Sequence, residues 1–133
     1  MSEVLRLSLD VSAVPADPVG AGRYTIHLAE ALARRSDVAL RLWARRGDGT
    51  RWEAVTRAGL TLPARVAGGT TPTVRSVAPV RRPLRLAWEQ IRLPGLLKGA
   101  DVEVHHGPHY TMPEGARLPQ VVTIHDLIFL DHP

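Results

Sequence analysis

The segment Val121-Val122-Thr123-Ile124 runs straight into His125-Asp126. Four consecutive apolar or β-branched residues favour a short strand. The lack of polar alternation predicts burial on both faces, as in a parallel sheet. In open parallel sheets, ligands bind beyond the carboxyl ends of the strands. His125 and Asp126 therefore fall where a site belongs, and one stretch ties the fold class to the place where chemistry is expected.

The rest of the chain agrees with this reading. Val4 to Leu9 alternates and closes on Asp10, a first strand ending in an acid. Pro15, Pro18, Gly20 and Gly22 punctuate a loop over 11–22. From Arg23 the period turns helical, with Tyr24, Leu28, Ala31 and Leu32 as one apolar stripe. Arg34-Arg35 suit the C-terminal end of that helix dipole. Val38 to Ala44 predicts a second strand, Gly47-Asp48-Gly49 a turn, and 50–58 a short helix capped by Thr50. Leu60-Thr61-Leu62 and Thr73 to Val77 are both strand-like, with Gly68-Gly69 and Pro72 between them; the second is taken as the third strand. A helix is expected over 83–98, with Pro83 in its first turn and Leu84, Ala87, Trp88 and Ile91 on one face. Pro94 should kink or interrupt it. Val102 to His105 reads as a short strand, and Gly107-Pro108 opens a loop to Leu118. Strands alternating with helices give an α/β class, a Rossmann-like parallel sheet with flanking helices. At 133 residues the chain is expected to form a single domain, 1–133.

Composition removes several function classes. The chain has no cysteine, so disulfides, thiolate metal sites and cysteine nucleophiles are excluded, and a cytoplasmic location fits. No apolar run approaches the roughly 18 residues of a membrane span, and the N-terminus lacks the pattern of a signal peptide. Net charge is +4, and Lys98 is the only lysine. Arg65, Arg75, Arg81, Arg82, Arg85, Arg92 and Lys98 oppose only Glu89. This is either a solvated face or a patch for anionic lipid headgroups or a phosphorylated substrate, which would allow peripheral contact with the inner face of a membrane. Nucleic acid is disfavoured as a partner, because aromatics make up only 5% and do not interleave with the arginines.

Three loops follow predicted strand ends: 10–22, 105–111 and His125-Asp126. In a doubly wound sheet the first strand and the one beginning the second half are neighbours whose loops diverge, so all three should share one rim. Gly20-Ala21-Gly22-Arg23 opens a helix and suits either an anion or a tight turn. A third glycine is missing, and no acid closes the second strand, so the dinucleotide fingerprint is incomplete. His105-His106-Gly107-Pro108-His109 invites a metal, yet Gly107-Pro108 breaks the helix that would align His105 with His109, so no metal is expected. His125 suits a base, a hydrogen-bonding group or a structural role. A serine-nucleophile elbow is absent.

These segments carry a resemblance. Asp10, then Gly20-Ala21-Gly22-Arg23-Tyr24, then Val104 to Pro113, then Val121 to Leu127 resemble the N-terminal half of family-4 glycosyltransferases, retaining enzymes of the GT-B fold. The match runs in order along essentially the whole chain, most specifically over 104–113 and 121–132. It implies an acceptor-side domain facing a cleft. Gly20 and Gly22, with Arg23, would approach the donor diphosphate. His125 would lie at the donor sugar, and Asp126 would orient it or the acceptor. Asp10, Gly107, His109 and Tyr110 would line the acceptor side. The resemblance also implies a nucleotide-diphosphate sugar as co-substrate, a carbohydrate or lipid-linked acceptor, no further cofactor and no metal. The family's C-terminal donor-binding domain is absent, so the domain reads as part of a longer enzyme that would not turn over alone. Two rivals stand beside it: another nucleotide-binding Rossmann enzyme such as a dehydrogenase, and a non-catalytic module for anionic surfaces.

Overall fold

The computed structural model describes residues 4–60 and 71–125. Its elements run β1 (Leu5–Asp10), α1 (Ala21–Arg34), β2 (Val38–Arg45), α2 (Gly49–Leu60), β3 (Thr73–Ala78), α3 (Arg82–Ile91), α4 (Leu93–Gly99), β4 (Val104–Gly107) and β5 (Gln120–Val122). The strands form one sheet in the order β3-β2-β1-β4-β5, and every pairing is parallel. The Rossmann-like α/β class is thus what the chain adopts. Residues 61–62, Arg65, Gly68-Gly69 and the stretch from Asp126 onward lie outside the described residues.

Each strand face has its own core. Leu7 and Leu9 join Leu40, Leu42 and Ala44 of β2 against Ala29 and Ala33 of α1 and Trp52 of α2. The other face holds Trp43 and Ala78 against Trp88 of α3 and Leu93 and Leu97 of α4. Ser8 and Asp10 alternate away from Leu7 and Leu9. Ser8 is aligned with His105, and Asp10 with Trp43, so the acid closing β1 belongs to the α3 side.

Several expectations are corrected. The stripe Tyr24, Leu28, Ala31 and Leu32 is not the buried face of α1; Gly22, Thr25, Ala29 and Ala33 are buried instead. Small residues let the helix approach the sheet closely, while Leu28 and Leu32 pack at its flank. In the second case, only Trp88 of the expected α3 face is buried, whereas Leu84 and Ile91 are 57% and 76% exposed. The inward neighbour of Trp88 is Glu89. Pro94 does interrupt the helix: α3 ends at Ile91, and α4 carries Pro94 in its first turn. Thr50 does not precede α2 but sits within its first turn. The fourth strand starts at Val104, after Asp101 has turned the chain with a φ of 55°. Finally, the segment ending at His125 is not buried on both faces. β5 is three residues long and at one edge of the described sheet, and Val121 is half exposed.

Candidate functional site

Chain order reverses across β1, because β2 leaves on one side and β4 arrives on the other. The loops after β1 and β4 therefore part, and a cavity of about 430 Å³ opens between them. Asp10, Ser12 and Ala13 form one wall and Gly107 to Thr111 another, while Arg82, Arg85, Leu86 and Glu89 of α3 close the third side. All four residues expected on the acceptor side, Asp10, Gly107, His109 and Tyr110, line it.

The loop after β4 is shaped by two backbone constraints. A Cβ on Gly107 would stand 2.3 Å from the Thr111 carbonyl oxygen, so only glycine permits this turn. Tyr110 has a φ of 68°, a left-handed conformation that is unusual for a bulky residue and recurs at binding sites. It is held by the chain leaving β5. Tyr110 N–H donates to the Thr123 carbonyl at 3.1 Å, and Thr123 N–H donates to the Gly107 carbonyl at 3.0 Å.

That same chain delivers His125. Its Nε2 lies 2.7 Å from the Pro108 carbonyl oxygen. A carbonyl only accepts, so Nε2 carries the proton. The ring sits edge-on to Tyr24 at 5.0 Å, with Tyr110 at 5.8 Å and His109 at 5.9 Å. His109 is fixed in turn. Thr25 Oγ1 donates its only proton to the Ala21 carbonyl, so His109 Nε2, 3.3 Å away, donates to the Thr25 oxygen. Burial, then the nearby His125 and Arg85, push the His109 pKa down to about 4. Of the two residues expected at the reaction centre, His125 thus stands in an aromatic cluster beside the cavity, and Asp126 lies outside the described residues.

The remaining histidines diverge. His105 is fully buried, with Nδ1 2.6 Å from Ser8 Oγ. Burial and the neighbouring His106 lower its pKa to about 4. His106 points the other way, with Nε2 2.6 Å from Thr123 Oγ1. Successive strand residues face opposite sides of a sheet, which scatters the cluster. Among the described residues no three His, Cys, Asp or Glu side chains are grouped to hold a metal ion.

The glycine loop divides. Gly20 is the helix N-cap, with φ 46° and open space where a Cβ would stand. Gly22 has a packing role: a Cβ there would meet Pro18 at 2.8 Å, and its N–H donates to the Val19 carbonyl. Arg23 Nε donates to the Pro18 carbonyl at 3.3 Å. Arg45 and Arg51 brace the same loop by donating to the Val14 carbonyl, and both pair with Asp48.

Sequence reasoning missed Glu89 and its surroundings. Thr111 Oγ1 donates to Glu89 Oε2 at 3.0 Å, and Gln90 Nε2 donates to Oε1 at 2.9 Å. Gln90 Nε2 also donates to the Met112 carbonyl at 2.7 Å, and its Oε1 accepts from Glu114 N–H at 3.1 Å. This network ties the cavity loop to α3. Asp10 Oδ1 accepts from Ser12 N–H at 2.9 Å and Oγ–H at 2.6 Å. Burial raises the pKa of both acids, and the charge of Asp10 raises Glu89 further; Arg85 opposes both shifts. The only signal in the sequence was that Glu89 is the lone acid among the arginines of 65–98.

Those arginines do not share one face. Arg82 and Arg85 wall the cavity, whereas Arg75 and Arg92 border a separate groove with Arg46, Leu84 and Ile91. Among the described residues no helix is long and apolar enough to cross a membrane. Compared with known proteins, the chain matches no family model, no curated protein and no solved structure.

Proposed function

We propose that this chain is the acceptor-side half of a retaining glycosyltransferase that uses a nucleotide-diphosphate sugar. One observation carries the reading. Of the segments that resemble the family-4 enzymes, Asp10 and Gly107 to Thr111 line one cavity at the switch between β1 and β4, and His125 stands beside it, bonded to the Pro108 carbonyl. In the transfer, the bond from the sugar's anomeric carbon to the diphosphate oxygen breaks, a bond to the acceptor hydroxyl oxygen forms on the same face, and the hydroxyl proton leaves with the diphosphate. Departure of the diphosphate needs positive potential; the open approach at Gly20, at the start of α1, supplies part of it. His125 accepts a hydrogen bond from the donor sugar through Nδ1, because Nε2–H is engaged by Pro108. Most of the donor is gripped by a second domain on this reading. No metal or further cofactor is invoked.

The incomplete glycine pattern counts against the dehydrogenase alternative, and Gly22, packed against Pro18 with its N–H engaged by Val19, leaves Gly20 as the open approach in either reading. Contact with an anionic membrane is a companion reading. It is favoured by Leu84 and Ile91, which are exposed beside Arg46, Arg75 and Arg92. The deciding experiment uses the full-length protein. A nucleotide-diphosphate sugar should raise its Tm where NAD does not, and His125→Ala, still folded by its cooperative melt, should lower kcat by about 10²-fold or more. Wild-type turnover in that variant removes His125 from the mechanism, and protection by NAD alone removes the transferase.

A further inference from the structure

The geometry assigns Glu89, together with Asp10, to the recognition of a vicinal diol, so that the cavity takes a carbohydrate ring and not a lone alcohol. Two carboxyl groups from different elements line one cavity, Asp10 at the end of β1 and Glu89 on α3. A carboxylate offers about four acceptor positions. Asp10 spends two on Ser12, both at Oδ1, and Glu89 spends one at each oxygen on Gln90 and Thr111. Each group is therefore held in a fixed orientation and keeps capacity for further donors. Adjacent hydroxyls on a ring are paired donors of the kind such a floor accepts. A single alcohol hydroxyl carries one proton and can donate to only one of the two acids.

The remaining walls suit a ring as well. Tyr110 and His109 contribute rings to the lining, and Leu86 adds apolar carbon. Arg82 and Arg85 balance the charges of the two acids, so the cavity does not select for a charged ligand by net charge. A cavity of about 430 Å³ falls within the range of small-molecule sites, roughly 300–1,000 Å³.

Naming the diol as the acceptor rests on the transferase reading; the binding itself does not. The test on the full-length protein is saturation-transfer NMR with methyl hexopyranosides, their deoxy analogues lacking one hydroxyl of each vicinal pair, and n-butanol. The intact glycosides should bind at least tenfold more tightly than the deoxy forms, and butanol should show no saturable binding. Glu89→Gln keeps the shape of the side chain and should weaken glycoside binding about tenfold while leaving nucleotide-sugar affinity within twofold. Gln120→Ala is the structural control, since Gln120 Nε2 holds the same loop at the Pro113 carbonyl and bonds neither acid. It should affect both ligands alike. Equal binding of diol and deoxy probes overturns the assignment, as does a Glu89→Gln variant that behaves like Gln120→Ala. Diol binding without any nucleotide-sugar binding would leave this assignment standing and remove the transferase.

Discussion

Gly107 has no room for a side chain, and the atom that excludes it is the backbone oxygen of Thr111. Backbone cannot swing aside as a side chain can. Gly107→Ala should therefore cost about 1–3 kcal/mol in urea unfolding and distort the cavity wall. His105 supports a second expectation. Its folded pKa of about 4 lies below the ordinary 6.5, so the unfolded chain binds the proton first as pH falls. The neutral ring's contribution is complete above pH 6.5 and is lost progressively down to pH 4, by about 3 kcal/mol. His105→Gln should flatten the stability profile in that window, measured by denaturant midpoints at steps of pH. At this scale the sequence was informative where position speaks for itself. Asp10, Gly107 and His125 stand at or just past strand ends, and strand ends face the site in this class of sheet. Glu89 was illegible because nothing in Trp88-Glu89-Gln90 says which way a helix is turned.

That rotation is set by packing partners distant in the chain. In α3, periodicity places Leu84 and Ile91 on a face with Trp88, but Trp88 turns toward Trp43, 6.4 Å away, and the helix carries Glu89 inward with it. Leu84 and Ile91 are left outside. Leu84→Glu and Ile91→Glu should each change unfolding free energy by no more than about 0.5 kcal/mol, as surface substitutions do. A loss of several kcal/mol in either would contradict the orientation of α3 described above. The same physics displaced α1, where glycine and alanine won the buried side from leucine because close approach favours small residues. Hydrophobicity says that a face exists, and local volume decides which face the sheet can accept. Breakers were more legible than faces. Pro94 ends a helix for a reason internal to its own ring.

The whole sheet was the most legible feature, because strand and helix periods alternate along the chain and parallel pairing follows from that alternation. The meeting of β1 and β4 at the switch was legible for the same topological reason. The second side of the cavity was not, since α3 reaches it only through tertiary packing. That packing has an optical consequence. Trp88 precedes Glu89 in α3 and stacks edge-on against Trp43, while Trp52 lies in the opposite core. A ligand that moves Glu89 must disturb its immediate neighbour in the same turn. Binding of a methyl hexopyranoside should shift the intrinsic fluorescence of the full-length protein. Trp52→Phe should leave the shift intact and Trp88→Phe should remove it. The helix that closes the cavity thus carries its own reporter of whether the cavity is filled.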